Sequence, residues 1–157
     1  MKALIYLAVF LAAITASFSQ PNKPLLTTDI IFDQAALKNL RFPTKAFNQA
    51  KSVRVYVRFT LTPEGEYRDI AIVNSKPVDE SFHEELNRFW SRLPNQASKY
   101  AGYYVVPISF LFGDRGPEKL KPISNETDTV AAQPGYTLLS GLPIISYVLC
   151  EKKAFVE

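Results

Sequence analysis

The chain is poor in the residues that carry most protein chemistry: one cysteine, one histidine, one tryptophan and one methionine among 157 residues. A single thiol, Cys150, excludes an internal disulfide, and leaves a small buried apolar residue or a link to another chain. The single imidazole, His83, falls on the polar side of a helical pattern, and no nucleophile-elbow motif accompanies it. Metal sites need clustered ligands, which one His and one distant Cys do not supply. Glu84 and Glu85 are neighbours that do not face each other on a helix. Gly65 stands alone in a turn, so no glycine-rich loop cradles a phosphate. Charge of one sign is lacking too: 18 Lys and Arg oppose 15 Asp and Glu, for a net +3 without a basic block. That argues against a nucleic-acid partner. These absences predict a non-enzymatic protein with no catalytic residue, no metal and no cofactor.

Long hydrophobic runs are also missing. The apolar stretch Ala3–Ala16 falls short of the about 20 residues of a comfortable bilayer span. Met1-Lys2 before it and the small residues Ser17 and Ser19 after it read as a secretory signal over 1–19, cut ahead of Gln20. Removing Lys2 takes the formal charge from +3 to +2. The expectation is a secreted, periplasmic chain with no membrane span once the signal is cut. An uncleaved anchor in the inner membrane is the alternative.

The strongest positive signal is Val53–Ser75. Val53, Val55, Val57, Phe59 and Leu61 alternate with Arg54, Tyr56, Arg58, Thr60 and Thr62, a period of two. Thr62-Pro63-Glu64-Gly65 turns the chain, and Tyr67–Asn74 returns as a second strand with Ile70 and Ile72 inward. The wet face, with Arg54, Tyr56 and Arg58, reads as a solvated sheet face or a contact patch. Upstream, 20–33 reads as an extended leader. Asp33 is the expected N-cap of a helix over Gln34–Leu40 with Ala35, Ala36, Leu37 and Leu40 inside, and Thr44–Ala50 forms another. Downstream, Asp79 caps a helix carrying Phe82, Leu86, Phe89 and Leu93 on one side and His83, Asn87, Arg88 and Ser91 on the other, stopped by Pro94. Tyr103–Phe112 is a third strand, in which Pro107 argues for an edge or a bulge. Residues 114–135 read as a polar linker, and 136–157 as an apolar tail that Gly141 and Pro143 split into two strand-like pieces.

Three strands with helices on one face leave an edge able to accept an added strand. Arg41-Phe42-Pro43, the alternating Val53–Leu61 strand, Pro63-Glu64-Gly65 with Tyr67, Ile70, Ile72 and Ser75, the Asp79-led helix with Trp90, and Val105–Phe110 follow in an order and spacing that resembles the C-terminal domain of TonB, over roughly Gln34 to Gly113. The resemblance implies an α+β, two-layer fold, a three-stranded antiparallel sheet with helices packed on one face, over 34–113. It implies a periplasmic module that binds an extended segment of an outer-membrane receptor or envelope partner by strand addition along its last strand. The partner-binding residues would be Tyr103, Tyr104, Val105, Val106, Ile108, Ser109 and Phe110, with Arg41, Phe42 and Pro43 near the bound segment. The chain departs from the family in lacking a long Pro-rich spacer, in Ser52 where a glycine is common, and in its tail. Within that tail Glu126–Ala132 resembles a receptor segment, and Ile144–Leu149 reads either as a segment that pairs with and covers the domain's own edge or as a small satellite packing unit. Two other readings stay open. A small-ligand or enzymatic protein on the same scaffold requires a deep pocket holding His83 or tyrosine hydroxyls. A structural envelope protein would self-associate through its tail and Cys150.

Overall fold

Why the hairpin forms is visible in its turn. In the computed structural model, which describes Leu26 and residues 30–114, 119–124 and 134–148, β1 (Val53–Leu61) and β2 (Tyr67–Ile72) pair antiparallel. Gly65 takes φ +83 and donates its N–H to the Thr62 carbonyl at 2.9 Å. A Cβ there would lie 2.0 Å from the Gln96 carbonyl oxygen, so the position requires glycine. Val55, Val57, Phe59 and Leu61 are buried as their period demands. The expectation for Ile70 is corrected. Asp69 adopts φ +53 at a register irregularity opposite Arg58–Thr60, so two residues of β2 oppose one of β1. The bulge turns Tyr67 and Ile72 toward the core and leaves Ile70 38% exposed.

The helices cover one face of the sheet. α1 (Ile30–Asn39) begins before Asp33, so Asp33 lies in its first turn rather than capping it, and part of the expected leader is helical. Phe32 and Ala36, with Leu40 just past its end, form its buried stripe, whereas Leu37, expected inside, is 70% exposed. α2 (Thr44–Asn48) buries Ala46. α3 (Glu80–Trp90) starts where the sequence indicates: the Ser81 N–H donates to Asp79 Oδ1 at 3.0 Å. That bond, with the Ser81 hydroxyl and Lys45, holds the Asp79 carboxyl down at about 2. Phe82, Leu86, Phe89 and Trp90 are buried. Phe59 sits at the centre, its ring 4.9 Å from Trp90, 5.5 Å from Tyr104 and 5.7 Å from Tyr67. Arg88 clamps α3 to α1, donating to the Asn39 carbonyl at 2.8 Å and pairing with Glu85.

The sheet is larger than expected. β3 (Gly102–Gly113) pairs antiparallel with β1 from Leu61↔Gly102 to Val53↔Phe110. On its other side run β4 (Thr137–Leu138) and β5 (Leu142–Tyr147), both parallel to β3. The described residues thus form an α+β protein with one open sheet of five strands, in place of the expected three. Parallel pairing lets the tail join the sheet only after a long return from the end of β3. That return is tied down early: the Ser124 N–H donates to the Ser52 carbonyl at 2.9 Å, and Ser52 Oγ accepts from the Phe112 N–H at 3.0 Å. Ser52 is buried and does work a glycine has no side chain to do. The signal 1–19, the receptor-like segment Glu126–Ala132 and Cys150 lie outside the described residues.

Candidate functional site

The side of β3 facing away from β1 can be read residue by residue. In a strand, backbone groups alternate sides. The Phe112 N–H points to Ser52 beside β1, and the Val105 carbonyl accepts from the Leu139 N–H at 2.8 Å on the other side. Val105, Pro107, Ser109 and Leu111 therefore direct their backbone groups outward. Along this side lies a broken row: Tyr104↔Thr137 and Val105↔Leu138, then Ile108↔Leu142 through Gly113↔Tyr147.

Pro107 falls at the break between β4 and β5. Its missing N–H would have pointed outward, so its pairing with Tyr56 on β1 survives. The expectation that Pro107 marks an edge is corrected: β3 lies inside the sheet, and the proline interrupts only the row beyond it. Gly141 passes close by, where a Cβ would stand 3.5 Å from the Pro107 carbonyl oxygen. In the parallel pair Ser109↔Pro143, Ser109 bonds to the residues flanking Pro143, so Pro143 turns its own donorless nitrogen to the free outer edge.

The sequence-derived site residues divide by this geometry. Tyr104, Val106, Ile108 and Phe110 are buried on the helix-facing side, in the core cluster that also holds Leu139 and that Leu142 and Ile144 pack against. Val105 is buried on the opposite face, Ser109 is half-buried and Tyr103 is exposed, its ring 5.5 Å from that of Tyr136. None of these seven residues belongs to an open edge, because the chain's own row occupies it. Burial pushes the Tyr104 hydroxyl above its usual range, and that hydroxyl donates to the Tyr100 carbonyl, fixing the start of β3. Of the three residues expected nearby, Phe42 packs edge-on against Phe110 at 5.9 Å. Arg41 and Pro43 look toward α3: the Arg41 N–H donates to Glu85, and Pro43 precedes α2 and is buried. α1 is the helix that borders the row. Asp33 and Leu37 line a cleft of about 220 Å³ with Ser140, Gly141, Leu142 and Pro143. Sequence reasoning gave these two other roles, Asp33 as an N-cap and Leu37 as an inward residue; the structure corrects the latter, leaving Leu37 70% exposed beside the row.

Other candidate sites are weaker. Arg54 donates from Nε to Ser109 Oγ at 3.1 Å, so part of the wet face braces β3. His83 rims a cavity of about 90 Å³ between α3 and β2, with Val57, Ile72 and Trp90, too small for a cofactor. The Trp90 indole N–H is buried there without an acceptor among the described residues. A cleft of about 460 Å³ is lined by Pro43, Lys45, Ser81, Glu84, Glu85 and Arg88, and its hydroxyl–carboxylate contact, Ser81 Oγ donating to Asp79 Oδ1 at 2.8 Å, belongs to the cap of α3. Among the described residues no cluster of three metal-ligating side chains occurs, and no helix is long and apolar enough to cross a membrane. Comparison with protein-family models, with curated proteins and with solved structures found no match for this chain.

Proposed function

We propose that this chain is a periplasmic, non-enzymatic protein-binding module of the TonB C-terminal type, which takes an extended segment of an outer-membrane receptor or other envelope protein by strand addition to β3. One observation carries the reading: the outer side of β3 already holds an extended segment delivered from far along the sequence, in parallel register over Ile108–Gly113. Backbone groups supply the pairing, and the core cluster that holds Tyr104, Val106, Ile108 and Phe110 receives alternate side chains. Capture of envelope proteins by the mature chain tests the proposal when repeated with Ser109→Pro. That substitution removes one outward N–H and keeps the backbone pairing of β3 with β1, although it also removes the Arg54 Nε–Ser109 Oγ bond, so Ser109→Ala is the control for that loss. Loss of a captured partner in the folded variant is the expected result; unchanged capture would refute pairing at β3. N-terminal sequencing of the same protein tests removal of 1–19.

A small-ligand reading draws on the buried Trp90 indole N–H, which meets no acceptor among the described residues, and on the neighbouring cavity. Trp90 is the sole tryptophan, so its fluorescence reports binding directly. A saturable change with compounds bearing a carbonyl or carboxylate acceptor would favour that reading over strand addition.

A further inference from the structure

The row on β3 describes what this edge accepts. We propose that the outer side of β3 selects an uncharged, extended protein segment, parallel to β3, with aliphatic residues at alternate positions, and that the chain's own Thr137–Tyr147 row is its resident competitor. This rests on the strand-addition reading and gives it a ligand chemistry and a gate.

The row's composition is the first ground. Tyr136–Val148 contains no charged residue. Leu139 reaches the core, and Leu142 and Ile144 pack half-buried against it. An ionised side chain at any of these three places would lose its water against an apolar floor. The second ground is the state of the other edges. β2 is blunted by its bulge at Asp69 and by exposed Arg68 and Asp69, and β5 by Pro143. Asn74 caps β1 beyond β2, accepting from the Tyr56 N–H at 2.8 Å and donating to the Arg54 carbonyl at 3.0 Å. Added strands are thus discouraged at the free edges, which leaves replacement of the row along β3. The third ground is how unevenly the row is held, with Leu139 as its one buried anchor. β4 is two exposed residues, a break follows at Gly141, and β5 is covered on one side only. An incoming segment that matches this pattern replaces contacts of the same kind, so exchange needs no rearrangement of β1–β3.

The test keeps the full chain. In a Cys150→Ser background, Leu111→Cys and Ile145→Cys place thiols at a registered β3–β5 pair, so oxidation staples the row and reduction frees it. The probe is a fluorescent synthetic peptide of sequence 137–148, followed by anisotropy. A control peptide carries Asp at the positions of Leu142 and Ile144. The reduced chain is expected to bind the peptide saturably, with stapling or the control each weakening binding by about tenfold or more. Equal binding by stapled and reduced chain, equal binding of the control, or no binding by the reduced chain would overturn the inference. A staple-sensitive dimer in light scattering that excludes the peptide would make a second copy the occupant and would also overturn it. If an envelope protein is captured only by the reduced chain while the peptide fails, this inference falls and strand addition stands. If capture ignores the staple, strand addition at β3 itself falls.

Discussion

Truncating Leu139 tests whether the tail belongs to the core. Leu139 is 4% exposed, packs in the main cluster, and its N–H bonds to Val105 at the point where β4 ends. Leu→Ala in a packed interior costs about 2–5 kcal/mol, the spread reflecting how far the site collapses. Here the residue sits at the margin of the sheet beside a two-residue strand, where neighbours can settle into the gap, so about 2–3 kcal/mol is expected. For a domain of this size that lowers Tm by roughly 6–12 °C. Ile145, on the opposite face of β5 and 46% exposed, is the control, and Ile145→Ala should change stability by no more than about 0.5 kcal/mol. Urea unfolding followed by Trp90 fluorescence and by circular dichroism measures both. If Leu139→Ala matched Ile145→Ala, the tail would be an appendage and the packing reasoning would be wrong.

Gly65→Ala should destabilise the fold by about 3 kcal/mol, since it adds positive-φ strain to a backbone clash with Gln96; a near-neutral result in urea unfolding would contradict the turn geometry. Asp79 has its folded pKa at about 2 against 3.8 ordinarily, so its contribution is complete above the higher value and is lost as pH falls through the lower one. Asp79→Asn, which keeps an N-cap acceptor, should flatten part of the decline in Tm over that acid window, and an unchanged slope would count against the cap. Pro143→Ala restores an outward N–H on the free edge of β5, and light scattering should then detect concentration-dependent association absent from the parent chain.

The hairpin and α3 were legible because their signals are local. A sustained period of two, a Pro-Gly turn and an Asp cap with apolar residues one helical turn apart each act within a few residues. Tyr67 and Ile72 facing the core together was not legible, since the bulge at Asp69 breaks the period where no glycine announces it. α1 was misplaced because Asp33 offers a good cap inside a segment that is already helical. The largest miss, β3 as an interior strand, has a non-local cause. Parallel pairing with a segment beyond a long return leaves no periodic trace in β3, and Pro107 suggests an edge until its nitrogen is seen to face the gap between β4 and β5. The tail's two strand-like pieces were legible; their partner was inferred only as one of two readings.

Amide hydrogen exchange along β3 tests the central claim most directly. Ser109 and Leu111 point their N–H groups at the row, and Ile108 and Phe110 point theirs at β1. If the row covers β3 and leaves it by a separate opening, Ser109 and Leu111 exchange slower than exposed amides but clearly faster than Ile108 and Phe110. Equal protection of the two sets would mean the row never leaves alone, and unprotected Ser109 and Leu111 would mean the row is not there.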